Sequence, residues 1–398
     1  MSNILDLIKH IESDIITIRR TLHQNPELSN EEYETSRLVQ ETLTRYGIEF
    51  QSGFAETGVL GIIKGDKPGK TVALRADMDA LPIQEANQHD HTSKTPGKMH
   101  ACGHDAHTAM LLGTGYALQQ LKDQIQGTVL LVFQPAEENA PHGGSQKMMD
   151  DGVFAKYQPD VIYGQHVWPY LPVGQIGIRD KEMMGASDRF SVTIRGRGGH
   201  ASMPQDGNDA IIIANQVISS LQTIVSRNVN PLDSAVLTVG RIEGGYRYNV
   251  IPDKVYFEGT VRTYKPEVKD KVKKRFHQII KQTVEAFDAE VEIEYLDGYP
   301  ATINTPKWAQ QARATAQHML GDEATPSLDP VLAGEDFSRF LNQYPGAFIW
   351  LGTKIEDAEN QKPLHDPAFK LNEKALPQGS MYMARLALET LENLQEKE

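Results

Sequence analysis

The chain has 398 residues and a mass of 44.3 kDa, too long for one ordinary core, so two domains are expected. Its composition, 39% hydrophobic and 23% charged, is that of a globular protein and excludes a disordered one. A formal net charge of −13 argues against a nucleic-acid partner, because phosphate binding needs clustered Lys and Arg.

The opening stretch, MSNILDLIKHIESDI, mixes charges into its apolar positions, and no uninterrupted run of about 18 apolar residues occurs anywhere. Neither a signal peptide nor a membrane partner is expected. Cys102 is the only cysteine and cannot form an intramolecular disulfide, which points to a reducing compartment, the cytoplasm.

Residues 3–22 place Ile4, Leu7, Ile8, Ile11, Ile15, Ile18 and Leu22 near helical spacing, and Pro26 marks the end of the pattern. Ser29 and Glu32 read as a capping-box pair for a second helix, which Gly47 would end. Apolar runs with strand character follow at 59–65, 71–78, 127–135 and 160–167, with helical patterns at 104–121 and 144–151 between them. The alternation predicts an α/β fold with a mainly parallel central sheet covered by helices.

Around residue 185 the texture changes. Segments 189–200, 209–227, 235–245, 254–264, 266–288 and 290–299 read β-α-β-β-α-β, the ferredoxin-like α+β arrangement, which can stand as its own domain. After Pro306 the helix-strand texture resumes. The expected organisation is a discontinuous α/β domain, 1–184 and 298–398, interrupted by an inserted domain over 185–297.

Ligand sites in α/β sheets lie outside the carboxyl ends of the strands, and four polar motifs stand at such places. HACGHDAH precedes a helix; QPAEEN follows the 127–135 strand; GQHVWP closes the 160–167 strand; PLHDPAF holds His365 in a turn between prolines. Together they supply a thiol, several imidazoles and a carboxylate pair, an inventory that suits a divalent metal site.

Cys102 and His104 could point one way only in an extended or irregular segment, which Gly103 permits. His104 and His107 are spaced to share a helix face. Glu137 and Glu138 are adjacent and point apart when extended, so one should ligate while the other handles protons. Taken singly, each of these residues has a plainer explanation: a surface or core His, a solvated charge run, a Cys acting as a small hydrophobe. The coincidence of four motifs is what favours a metal.

The chain resembles the M20 metallopeptidase family, in the amidohydrolase branch of aminoacylase-like, hippurate-hydrolase-like and auxin-conjugate hydrolases. The likeness runs from RRTLHQNPELSNEE through ALRADMDALPI, MHACGHDAH, FQPAEE, GQHVWP and GGHASMP to AGEDF and LHDPAF, nearly the whole chain. It implies two divalent ions, Mn²⁺ or Zn²⁺ with Co²⁺ or Ni²⁺ as alternatives, about 3.5–4 Å apart. Cys102 would bridge them. Glu138 and His365 would complete one ion, His104 and His166 the other, and Glu137 would be the general base.

Many members of the wider family have an Asp as the bridge, whereas this chain has Cys102, a substitution shared by the amidohydrolase branch. The resemblance gives Asp79 the role of orienting a ligand and leaves Asp77 unassigned. In the inserted domain, His200 would polarise the scissile carbonyl, often from the partner subunit of a dimer, and Asn249 and Arg262 would bind the carbonyl and carboxylate of the substrate. Glu335 and Asp336 read equally well as the N-terminus of a helix.

The implied activity is hydrolysis of the amide bond of an N-acyl amino acid by a homodimer formed through the inserted domain. Three alternatives stand beside it: a dipeptidase or small-peptide peptidase on the same fold, a metal-free enzyme with Cys102 as nucleophile, and a non-catalytic metal- or peptide-binding module.

Overall fold

In a computed structural model that describes residues 2–395, the apolar stripe at the N-terminus is buried through Ile4, Ile8, Ile11, Ile15, Ile18 and Leu22. It belongs to two helices rather than one, Ser2–His10 and Glu12–Gln24, separated at Ile11, whose backbone leaves the helical region (φ −110°, ψ 12°). The side-chain period survives this break, which is why the spacing alone reads as continuous.

The expected capping box is also corrected. The helix expected after Ser29 spans Tyr33–Arg45 and has no side-chain cap among the described residues. Ser29 and Glu32 are turned inward to other partners, described below.

The chain divides into two units. One runs through Met183 and resumes over Ile303–Asp329 and from Asp336 onward; the other comprises Met184–Thr302 and Pro330–Glu335. The sequence reading assigned 298–302 and 330–335 to the first. The second holds Pro330–Glu335 through backbone bonds from Gly185 N to Val331 O (2.9 Å) and Ala333 O (3.0 Å), a pairing that a local pattern does not reveal.

The first unit is built on a seven-stranded sheet in the order Glu49–Phe54, Gly58–Lys64, Gln126–Gln134, Lys67–Asp77, Val161–Trp168, Gly346–Gly352, Ile176–Gly177. The four strands from Gln126–Gln134 to Gly346–Gly352 are parallel; the outer three pair antiparallel. Glu49–Phe54 and Gly58–Lys64 are joined by a turn too short for a parallel crossover, with Ala55 and Glu56 at positive φ.

Burial explains the apolar runs: Val129 to Phe133, Val72 to Leu74 and Phe348 to Leu351 are all inaccessible or nearly so. Helices His104–Gln120 and Ala375–Gln395 pack on the Lys67–Asp77 strand. The parallel register sets Asp77 opposite Gln134 and Trp350 opposite His166, so the motifs at the strand ends gather along one edge of the sheet.

The second unit is a four-stranded antiparallel sheet in the order Ala235–Gly244, Lys254–Thr263, Ala186–Arg195, Glu290–Tyr299. Helices Ala210–Thr223 and Pro266–Glu285 follow its first and third strands in sequence, giving the ferredoxin-like topology. Ala186–Arg195 alternates burial along its length. Phe190, Val192 and Ile194 pack with Ile213, Val217, Val272 and Phe276 in a core of its own.

Candidate metal centre

Three loops of the first unit meet at the sheet edge. Gly103, at φ +88°, turns the chain between Cys102 and the start of helix His104–Gln120. Ala136, at φ 58°, precedes Glu137 and Glu138, and His365 itself has φ 66°. Non-glycine residues in this region are uncommon and are retained where surrounding structure holds them. His365 N donates to Ala101 O (2.9 Å), tying the last loop to the first.

The side chains form overlapping triads. The ligand atoms of Cys102, His104 and His166 lie within 4.8 Å of one another, as do those of Cys102, Glu138 and His365, and those of His104, Glu137 and Glu138. Cys102 is common to the first two. Its Sγ is 3.4 Å from His166 Nε2, and His365 Nε2 is 3.1 Å from Glu138 Oε1. All but His365 and Glu138 are buried.

Surrounding groups fix the orientation of these ligands. Asp79 Oδ1 is 3.2 Å from His104 Nδ1, and its Oδ2 accepts from Ser29 Oγ (2.6 Å) and from Glu138 N (2.9 Å). His166 Nδ1 donates to Val167 O (2.7 Å), which leaves Nε2 as the lone-pair nitrogen facing Cys102. Val167 N in turn donates to His107 Nε2 (2.8 Å), whose Nδ1 is 2.5 Å from Asp77 Oδ1.

Carboxylate–imidazole pairs of this kind set the tautomer of metal-binding histidines. Glu32 Oε1 accepts from Ala136 N (2.8 Å) and Asn30 N (3.0 Å), while Oε2 accepts from Thr57 Oγ1 (2.9 Å). The misread capping pair thus braces the Glu137–Glu138 loop and Asp79.

These atoms suit divalent cations. Among the described residues, His104 Nε2 is buried without a hydrogen-bond partner, and Glu138 Oε1, despite its approach to His365, has none of acceptable geometry. Leaving such groups unmet costs about 1–3 kcal/mol each. One thiol, three imidazoles and a carboxylate match the ligand preferences of Zn²⁺ and similar ions.

Electrostatics agree. Burial, then the Glu138, Glu137 and Asp77 carboxylates, push the Cys102 thiol well above its ordinary value. A free thiolate nucleophile is disfavoured in that setting, whereas a bound cation would deprotonate the thiol outright. Burial lowers His104, but Asp77, Asp79 and Glu138 outweigh it and hold the imidazole up to about 10, so cation binding there displaces a proton. Burial, reinforced by His107, drives His166 well below the usual range, leaving it neutral and able to ligate.

Glu137 is buried, with Oε1 3.4 Å from Asp336 N. Asp336 does not cap its helix through its side chain. Its carboxylate lies inside the unit and accepts from Arg75 Nη2 (2.9 Å), Gln134 Nε2 (2.8 Å) and Ser145 N (3.0 Å). Arg75 also holds Asp77 Oδ2 at 2.6 Å. Sequence reasoning passed over this buried network because an Asp before an amphipathic run looks like any cap.

His200, Asn249 and Arg262 lie in the second unit. His200 is exposed on the short Gly199–His200 strand, which pairs with Val250–Ile251, and its Nδ1 is 2.7 Å from Ser202 Oγ. Ala201 N donates to Asn249 O (3.2 Å), and Asn249 Oδ1 is buried without a partner among the described residues. Arg262, half-buried on Lys254–Thr263, makes no ion pair among the described residues. Burial lowers its pKa, opposed by Asp188.

The model of peptidase family M20/M25/M40 matches residues 73–389. Over 386 residues the chain is 42% identical to N-acetyl-L-cysteine deacetylase of Bacillus subtilis (strain 168), covering 97% of this chain and 90% of that one. It is 40% identical over 383 residues to thermostable carboxypeptidase 2 of Saccharolobus solfataricus, covering 96% of each. The crystal structure of the Bacillus subtilis YXEP protein, a dinuclear metal binding peptidase from the M20 family, superposes with a TM-score of 0.84 at 36% identity, covering 96% of this chain and 99% of that one.

Proposed function

The chain belongs to peptidase family M20/M25/M40 and is a metal-dependent hydrolase of amide bonds; from that basis we propose that it removes the acyl group from N-acyl amino acids at a centre where Cys102 would be shared between two divalent ions. The single observation that carries this reading is the membership of Cys102 Sγ in both ligand triads, with His104 and His166 on one side and Glu138 and His365 on the other. Mn²⁺ or Zn²⁺ fits the mixed donor set.

When bound, two such ions polarise the scissile carbonyl and acidify the attacking water. The protein supplies the rest. Glu137, a member of neither Cys102 triad, takes a proton from the water and delivers it to the departing nitrogen, so that the acyl carbon gains OH and the amine gains H. Asp79 keeps His104 and the Glu138 backbone in place, and Asp77 does the same for His166 through His107.

We assign His200 to stabilising the negative charge that develops on the carbonyl oxygen, Asn249 to binding the substrate carbonyl, and Arg262 to its carboxylate. The half-buried Arg262 guanidinium, without an ion pair among the described residues, supports its role. A homodimer through the second unit is supported by its edge strand Ala235–Gly244, which leaves Val236 and Ile242 exposed, and by nearby Leu232, Tyr246 and Tyr248 on the surface.

N-acyl amino acids and C-terminal residues of short peptides share an amide next to an α-carboxylate, and relatives of both kinds favour a substrate of that form. A panel of N-acetyl and N-benzoyl amino acids beside free-amine dipeptides, assayed with Mn²⁺ or Zn²⁺, decides between them. Deacylation exceeding dipeptide cleavage supports the proposal; the reverse order, or activity indifferent to chelation, overturns it.

A further inference from the structure

A second gathering of imidazoles and carboxylates lies in the first unit, built from residues outside the Cys102 triads. We propose that His23, Glu85 and His89 bind a further divalent ion of the Zn²⁺ type, at a site separate from the Cys102 centre. His23 Nε2 and His89 Nε2 each stand 3.2 Å from Glu85 Oε1, and the three ligand atoms lie within 4.8 Å of one another. A tetrahedral ion with bonds of about 2.0–2.1 Å has ligand-to-ligand edges of roughly 3.3 Å. The two edges that meet at Glu85 Oε1 already have nearly that length.

The far sides of the ligands are held as metal ligands are held. His23 Nδ1 is 2.8 Å from Asp105 Oδ2, a carboxylate–imidazole contact that fixes the proton on Nδ1 and turns the Nε2 lone pair outward. Glu85 Oε2 accepts from Ser93 N (2.7 Å), and Oε1 from Asn87 Nδ2 (3.1 Å). With Nδ1–H committed to Asp105, His23 Nε2 can face the carboxylate oxygen favourably only if a cation lies between them or the ring carries a second proton. His89 Nε2 faces the same oxygen; a neutral ring meets it as the Nε2–H donor, and its lone pair is available to an ion when the proton sits on Nδ1, 3.4 Å from Thr92 Oγ1.

Access is built in. His23 and Glu85 are buried, but the His89 side chain is 20% exposed. With Arg19 and His91 it lines a cavity of about 510 Å³, so the approach to the site runs past His89. The positive charge of Arg19 is offset by Asp105 (2.8 Å) and Glu373 (3.2 Å). His91 stacks on His89, with ring centroids 3.8 Å apart, while its own Nε2 contacts Arg19 Nη1 at 2.6 Å. It is therefore a buttress and not a ligand. On binding, the metal takes the place of the proton on His23 Nε2, and that proton goes to solvent.

The test uses the full chain loaded with Zn²⁺ and equilibrated against rising free Zn²⁺, with bound metal counted by atomic emission. Wild type and His91→Phe should reach three ions per chain, and His89→Ala and Glu85→Gln should stop at two. Co²⁺ added to enzyme already holding two Zn²⁺ should give visible absorption that disappears in His89→Ala, while Cys102→Ser should lose ions without losing that absorption. Wild type saturating at two ions, or a third ion that persists in His89→Ala, overturns the proposal. Should either substitution unfold the chain, the wild-type count and cobalt spectrum decide alone.

Discussion

Asp79 and His104 are joined at 3.2 Å through Oδ1 and Nδ1, and the other oxygen of the same carboxylate takes the backbone N–H of Glu138. One buried side chain therefore sets an imidazole on one side of Cys102 and a carboxylate on the other. Removing such an orienting group lowers metal affinity about 10- to 100-fold. Asp79→Ala should show that loss in a competition titration against a chelator while the circular dichroism of the folded chain is kept. An unchanged affinity would make Asp79 merely structural.

The adjacent glutamates should separate cleanly. Glu137→Gln should retain its bound metal and lose about 10²- to 10⁴-fold in kcat; Glu138→Gln should lose metal as well as activity. Metal analysis beside steady-state rates checks both. If the two variants behave alike, the division of labour assigned to them is wrong.

Glu32 supplies a pH dependence. Burial, helped by Asp79, raises its carboxyl to about 7. A carboxyl whose folded value lies above its unfolded one binds more protons when folded, so stability is greatest below the unfolded value and falls as pH rises towards the folded one. The window runs from about 4.5 to 7, and the effect is on the order of 3 kcal/mol. For metal-stripped protein, thermal unfolding at pH 5 and pH 8 should show a wide gap for wild type and a narrower one for Glu32→Gln. Equal gaps would contradict the assignment.

Gly103 allows the turn between two ligands. At φ +88° an added Cβ would lie 2.5 Å from Val167 Cγ2, in a conformation that itself costs about 1–3 kcal/mol for other residues. Gly103→Ala should lower the unfolding midpoint and weaken metal binding together, because Val167 is bonded to both His107 and His166. A variant with wild-type stability and affinity would mean that the turn relaxes freely.

The sequence made the sheet and the strand-end motifs legible because their patterns are local. Apolar runs such as 127–135 announce buried parallel strands, and the motifs stand where such strands stop. The antiparallel topology of the second unit followed from element order.

What stayed hidden were contacts between distant segments. Ser29 and Glu32 match a helix cap so well that only the fold reveals their bonds to Asp79 and Ala136. Asp77 was left without a role because its partner His107 and its cation Arg75 are recognisable only once strand and helix are packed. Asp336 was obscured in the same way. Each case sets a local hydrogen-bond signature against a buried partner far along the chain, and the buried partner prevails.

The sharing of Cys102 between two ions is tested most directly by X-ray absorption at the zinc edge on protein reconstituted with two Zn²⁺ per chain. A bridging thiolate gives about one sulfur per zinc, at a distance of about 2.3 Å, with a zinc–zinc vector near 3.5–4 Å. About half a sulfur per zinc, from a thiolate bound to only one ion, or no sulfur neighbour at all would contradict the account.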